Sequence, residues 1–146
     1  MKKQIIVLAL VITAIILGGS QLVASAQTAH HLAFDAPFDF VAGDRQLPAG
    51  RYIVRRVKQD SEAALRIEDE RGHVRATVLT NAAGGPSARA ALTFRQYGGR
   101  HFLAGVWMPG AAGGRELQES KQERTLRARA GRAEPGTVAI VGNIRG

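Results

Sequence analysis

The stretch LAFDAPFDFVA, residues 32–42, decides the fold of this chain. Apolar side chains stand at every second position, and they alternate with a row that includes two aspartates and a proline. A period of two is typical of a β-strand that buries one face and leaves the other in water. Pro37 has no N–H to give to a neighbouring strand, so it predicts an edge position, a bulge or a break.

Short runs with the same alternation follow along the chain, and turn residues such as the LPAG of residues 47–50 separate them. The predicted strands after the first are residues 51–58, 64–68, 74–78, 90–94, 101–108 and 137–141. The run 101–108 is apolar on both faces, which favours a central or sandwiched strand. Six to seven short strands at regular spacing predict an all-β domain, either an antiparallel sandwich or a small barrel.

One segment departs from the β pattern. Residues 115–130 contain no glycine or proline and are rich in Glu, Gln, Lys, Arg, Leu and Ala, which predicts a C-terminal helical segment. Its apolar content is thin, essentially Leu117 and Leu126, so we expect the helix to rest on the domain through a narrow stripe. Residues 137–141 then form the predicted last strand.

The N-terminal residues have the organisation of a secretory signal peptide. Lys2 and Lys3 form a cationic head, and an uncharged, largely apolar run follows at residues 5–17. The small residues of Ala24-Ser25-Ala26 then supply the pattern that a signal peptidase reads. Residues 1–26 are therefore the predicted signal peptide.

Cleavage after Ala26 leaves residues 27–146 as a single β domain in the periplasm or outside the cell. The alternative is an uncleaved membrane anchor, because residues 5–24 are about long enough to span a bilayer. The polar and glycine residues at the end of that run favour cleavage. After cleavage we expect no stable membrane span.

Cysteine content and charge restrict the possible functions. The sequence has no cysteine, so stability must come from packing, and thiolate zinc sites and thiol redox chemistry are excluded. Removing Lys2 and Lys3 with the leader lowers the formal net charge from +8 to +6. Arginine supplies most of the remaining cations and is spread along the chain, which favours solvated charge, so we expect no nucleic-acid partner. The partner is unknown, with an anionic cell-envelope surface or another exported protein as the candidates.

Three motifs carry a resemblance to a known group of proteins. PFDF at residues 37–40, LPAGxYxV at 47–54 and GREL at 114–117 resemble a group of small exported bacterial all-β proteins of unassigned function. The resemblance covers most of the mature chain, and it implies no catalytic or ligand residues because none are established for that group. Residues 47–54 are also similar to one strand of transthyretin-like and collagen-adhesin B-type modules.

Aromatic and basic residues are the candidate contacts for a ligand or partner. Tyr52, Tyr97 and Trp107 offer an aromatic platform for a sugar or peptide, with burial in the core as the alternative. Arg124 and Arg127 share one face of the predicted helix. They offer contacts to anionic lipid or polyanion, with a solvated face as the alternative.

The sequence shows no pattern of catalytic or metal-ligating residues. His73 and His101 lie beside turns, but no serine stands in a Gly-x-Ser-x-Gly context. We therefore predict no enzyme activity, no cofactor and no metal site. The predicted function is an exported, non-catalytic binding or structural module of unknown ligand. A small barrel that carries an apolar ligand is the alternative, followed by a small hydrolase.

Overall fold

The computed structural model describes residues 31–85, 87–109, 111–131 and 134–145, and the predicted signal peptide lies outside them. The described residues form eleven strands and one helix, so the prediction of an all-β fold is confirmed. The strands are β1 (His31–Ala36), β2 (Phe40–Ala42), β3 (Arg45–Leu47), β4 (Gly50–Lys58), β5 (Ser61–Asp69), β6 (Val74–Ala83), β7 (Ala91–Tyr97), β8 (Arg100–Trp107), β9 (Gly114–Leu117), β10 (Gly136–Val141) and β11 (Asn143–Arg145). The helix α1 spans Lys121–Ala130.

The strands form a sandwich-like fold of two layers that are joined along both sides. One layer contains β1, β4 and β5, and the other contains β7, β8 and β9. β6 belongs to both, because residues 74–79 pair with β5 and residues 80–83 pair with β9. On the other side the chain passes from β10, paired with β7, through Gly142 to β11, paired with β1. A Cβ atom at Gly142 would lie 2.3 Å from Leu32 Cδ1, so any larger residue at this crossing would force the buried Leu32 side chain to move.

Aromatic rings from both layers fill the space between them. Phe40 is at the centre, with its ring centroid 6.0 Å from Phe34, 5.4 Å from Tyr52 and 5.5 Å from Phe94. These rings belong to a larger buried cluster that also contains Leu32. The apolar row of the stretch 32–42 is therefore the inner face, as its period of two predicts.

The number of strands corrects the sequence prediction of six to seven. The region 31–47 alone folds as three strands, because the chain breaks after β1 at residues 37–39, where Pro37 stands. Asp39 holds this break, since its Oδ1 accepts a hydrogen bond of 2.8 Å from Ala49 N–H. The break is a bend between layers and not a hairpin. β2 consequently lies parallel to β8, and the predicted purely antiparallel arrangement is mixed.

The helical segment is also shorter than the predicted 115–130. Residues 114–117 form β9, which pairs with both β6 and β8 and buries Leu117, so cross-strand pairing overrides the helix propensity of these residues. α1 begins after Ser120, whose Oγ accepts a hydrogen bond of 3.1 Å from Glu123 N–H. No helix among the described residues has the length and apolar character to cross a bilayer.

The helix packs against the outer face of the second layer. Leu126 contacts a small cluster formed by Val41, Tyr97 and Phe102. The other anchors are polar: the carboxylate of Glu123, which is 2% exposed, forms a salt bridge with Arg95 of β7, and Arg100 of β8 donates a hydrogen bond of 3.0 Å to the side chain of Gln122. The apolar contact of the helix is formed by Leu126, in agreement with the narrow stripe that its sequence predicts.

Candidate functional site

A cleft lies at one end of the fold, where the turn between β3 and β4 faces the hairpin between β5 and β6. Its volume is about 390 Å³. Register explains the proximity of the two turns, because Tyr52 near the start of β4 pairs with Asp69 at the end of β5. The cleft is lined by Arg45, Gln46, Leu47, Pro48, Gly50, Arg51, Tyr52, Asp69, Glu70, Arg71 and Arg75.

The first wall of the cleft is fixed from beneath by Tyr52. The ring of Tyr52 is buried in the core, and its hydroxyl donates a hydrogen bond of 2.7 Å to the carbonyl oxygen of Pro48. The N–H of Ala49 is held by Asp39, as described above. Leu47 is buried as well. The turn at residues 47–50 is therefore fixed to the rest of the fold at three successive residues, two of them through the core.

The second wall is organised by one carboxylate. Asp69 Oδ1 accepts hydrogen bonds of 2.9 Å from the N–H groups of Arg71 and His73, and Gly72 takes the positive φ of 79° that closes the turn. Asp69 Oδ2 accepts from Arg75 at 2.9 Å. Burial alone would raise the pKa of Asp69, but these hydrogen bonds outweigh it and hold the pKa below its ordinary value.

The four arginines of the cleft differ in their partners. Arg51 is engaged by Asp35 through two hydrogen bonds of 2.8 and 3.2 Å, and its Nη1 lies 3.7 Å from Glu70. Arg75 is engaged by Asp69. Arg45 and Arg71 are exposed, and among the described residues no carboxylate lies within ion-pair distance of either guanidinium.

The lining of the cleft is therefore cationic. Four arginines stand against Asp69 and Glu70, so the lining residues carry an excess of two positive charges. The unpaired charges are on Arg45 in one wall and Arg71 in the other. Guanidinium groups present several N–H donors in a planar fork that matches oxyanions. The arrangement is chemically suited to hold an anion between its two walls.

Among the aromatic candidates from the sequence, Tyr52 alone lines this cleft. Tyr97 is 6% exposed beneath α1, and its hydroxyl has no hydrogen-bond partner in the described structure. Trp107 is half-buried at the far end of β8, and its indole lies across two glycines. A Cβ atom at Gly105 or Gly114 would stand 2.1 or 2.3 Å from indole atoms. The structure does not bring the three rings together as one platform.

The two helix arginines lie away from the cleft lining. Arg124 and Arg127 are exposed on α1, and Arg127 is paired with Glu119 at 2.7 Å. Sequence reasoning selected Arg124 and Arg127 because arginines are closely spaced in that segment of the sequence. It missed the arginines that line the cleft, which are Arg45, Arg51, Arg71 and Arg75. The sequence did indicate that both Arg45 and Arg71 lie at turns, because Arg45 precedes LPAG at residues 47–50 and Arg71 belongs to ERGH at residues 70–73. Only strand pairing shows that these two turns meet.

The histidines considered as catalytic candidates have separate surroundings. His73 is exposed, with Nδ1 3.4 Å from Asp69 Oδ2, and the ring of His101 stacks on Phe38 with centroids 3.7 Å apart. No group of three or more side chains that could hold a metal ion occurs within the part of the chain that the structure describes. The chain matches no protein-family model, no curated protein and no solved structure.

Proposed function

We propose that this protein is an exported, non-catalytic binding module that holds an anionic ligand in the arginine-lined cleft. One observation carries the proposal: Arg45 and Arg71 both line the cleft, from different turns, and neither has a carboxylate partner among the described residues. Several arginines elsewhere in the fold, such as Arg55, Arg95 and Arg127, are matched by carboxylates. Arginines outside the cleft that are unmatched within the described part of the chain, such as Arg124 and Arg129, are exposed on α1. Two unmatched guanidinium groups in one concave site favour an external anion as the missing partner.

The filled interior favours this site over an internal ligand. The space between the layers is occupied by the rings of Phe34, Phe40, Tyr52 and Phe94 in direct contact. A carrier of an apolar ligand needs an interior volume that side chains leave open. Surface recognition at the end of the fold requires no such volume.

Export is part of the proposal and is supported by the sequence of residues 1–26. A module outside the cytoplasm meets acidic polysaccharides and anionic lipid headgroups at the cell envelope. A cleft with a cationic lining is complementary to both, and complementary charge raises the association rate and selects against cationic partners.

Binding to the sulfated polysaccharide heparin tests the proposal. The cleft variant R45Q/R71Q should weaken heparin binding by at least about tenfold, which corresponds to about 1.4 kcal/mol. The matched control R124Q/R129Q removes the same charge from exposed positions of α1 and should change affinity by less than about threefold. Both affinities are measured by calorimetry at two salt concentrations, because exposed charge interactions are screened. If both variants lost the same heparin affinity, binding would depend only on the total positive charge of the protein, which would contradict a specific site in the cleft.

A further inference from the structure

The unneutralised positive charge of the cleft is carried by two of its four arginines. The guanidinium of Arg51 has two acidic partners, because Asp35 accepts from its Nε and Nη2 while Glu70 lies 3.7 Å from its Nη1. Arg51 therefore carries no spare positive charge. Arg45 in one wall and Arg71 in the other have no carboxylate partner among the described residues. An anion entering the cleft is therefore attracted toward Arg45 and Arg71.

Arg75 adds donors to the lining of the cleft without adding free charge. Its Nε and Nη2 both lie 2.9 Å from Asp69 Oδ2, so the carboxylate uses one edge of the guanidinium. Nη1 keeps its N–H donors. Asp69 is itself fixed by the N–H groups of Arg71 and His73. Arg75 is thus held in a defined orientation in the lining, which lowers the entropic cost of using it to bind.

The number of donors exceeds what a single carboxylate can use. One guanidinium fork already matches a carboxylate, which has two oxygens and one negative charge. A phosphomonoester has three terminal oxygens and a charge of about −1.5 to −2 near neutral pH. It can therefore engage Arg45 and Arg71 together while accepting from Arg75. Building on the proposed function, we infer that the cleft binds the phosphate of a phosphomonoester through Arg45, Arg71 and Arg75.

The cleft also has room for the group that carries the phosphate. A volume of about 390 Å³ is well above that of one phosphate, and Leu47, Pro48 and Tyr52 line the cleft beside the arginines. A sugar ring fits this description, and so does the glycerol of a lipid headgroup. Both sources present the same phosphomonoester, so the experiment needs one arm for each.

The soluble arm compares glucose 1-phosphate with glucuronate by calorimetry. Both probes are built on the same pyranose ring, and one carries a phosphate on C1 while the other carries a carboxylate at C6. We expect glucose 1-phosphate to bind at least about tenfold more tightly than glucuronate. R71Q should reduce its affinity by at least about tenfold, and R124Q should leave the affinity within about twofold of the unmodified protein.

The membrane arm compares phosphatidylcholine vesicles that contain phosphatidic acid with vesicles that contain phosphatidylglycerol, in equal amounts. Phosphatidic acid presents a phosphomonoester, and phosphatidylglycerol presents a phosphodiester with a single charge. Preference for phosphatidic acid that is lost in R71Q, without glucose 1-phosphate binding, assigns the phosphate to a lipid. Tight glucose 1-phosphate binding without vesicle preference assigns it to a soluble molecule. Either result supports the inference.

Glu70 supplies a variant that should gain affinity. Its carboxylate lines the cleft and repels an entering anion, so E70Q should bind glucose 1-phosphate about two- to fivefold more tightly, since Glu70 is exposed and its charge is screened. Unchanged or weaker binding of E70Q would contradict the placement of the phosphate in this cleft.

The outcomes separate this inference from the proposed function. Equal affinity for phosphate and carboxylate probes, or no binding in either arm, overturns the phosphomonoester. The proposed function survives that result if R45Q/R71Q still loses heparin binding selectively. If heparin binding is insensitive to the cleft variant, the proposed function fails as well.

Discussion

The hydroxyl of Tyr52 donates a hydrogen bond of 2.7 Å to the carbonyl oxygen of Pro48, four residues earlier. This bond joins the core to the rim of the cleft, because the ring of Tyr52 packs on Phe40 while its oxygen holds the turn. The position of Arg45, at the start of β3 just before this turn, therefore depends on packing inside the fold. Tyr52 therefore couples the rim of the cleft to the aromatic core.

Tyr52→Phe keeps the ring and removes this hydrogen bond. We expect the free energy of unfolding to fall by about 1 kcal/mol, since the carbonyl of Pro48 loses a buried donor. Chemical denaturation measures the change. Tyr97→Phe is the matched control: its hydroxyl is buried without a partner, so its removal should be neutral or stabilising. If Tyr97→Phe lowered the free energy of unfolding more than Tyr52→Phe, the Tyr52 hydroxyl would not be the stabilising one, contrary to this prediction.

Glu123→Ala should be among the most destabilising single changes outside the apolar core. It leaves Arg95, whose side chain is 17% exposed, without its buried carboxylate partner. Removing one member of a buried pair costs about 3–5 kcal/mol. Glu119→Ala breaks the more exposed pair with Arg127, where about 1 kcal/mol or less is expected. Thermal unfolding compares the two variants, and similar melting temperatures would show that the buried pair does not anchor α1.

The glycines beneath Trp107 can be tested with an optical signal, because the sequence has one tryptophan. Gly105→Ala or Gly114→Ala would place a methyl group on the indole, so overpacking of about 1–3 kcal/mol and a red-shifted emission are expected. Gly85→Ala, whose Cβ would meet nothing within 4 Å, should leave stability and emission unchanged. An unshifted spectrum in all three variants would contradict the packing of Trp107 on these strands.

The low pKa of Asp69 predicts how the stability of the protein changes at acidic pH. Because its folded pKa lies below the ordinary value of 3.8, the ionised carboxylate contributes stability above that value and loses it as pH falls through the folded pKa. Asp69→Asn should therefore be less stable than the unmodified protein at pH 6. The difference in free energy of unfolding between the two proteins should become smaller below about pH 4, the range in which an unperturbed aspartate titrates. Urea unfolding at both pH values checks this, and a gap that is constant with pH would show that the charge of Asp69 is irrelevant.

Local patterns predicted the part of the fold that depends on neighbours in sequence. The alternation at residues 32–42 identified Phe34 and Phe40 as inner residues, and Pro37 marked the break between β1 and β2. Residues 115–117 were misread as helix because their propensity is local, whereas pairing with β6 and β8 is not.

The cleft lay beyond the reach of the sequence for a related reason. Arg45 and Arg71 come from different turns, and only the register of β4 with β5 brings those turns together. Arginines that are close together in sequence, as on α1, can be recognised directly. Arginines that are distant in sequence and meet only in the fold cannot. Sequence reasoning therefore found Tyr52, which stands within a recognisable turn-and-strand pattern, and missed the cations around it.

The pairing of β1 with β11 affects the order in which the strands of the fold can pair. His31 lies opposite Arg145, so the first strand of the described fold acquires its second neighbour only when the last described strand is in place. Contacts between such distant positions slow folding. The passage through Gly142 therefore forms late in folding, and until then β1 has an unprotected edge that can pair with another chain.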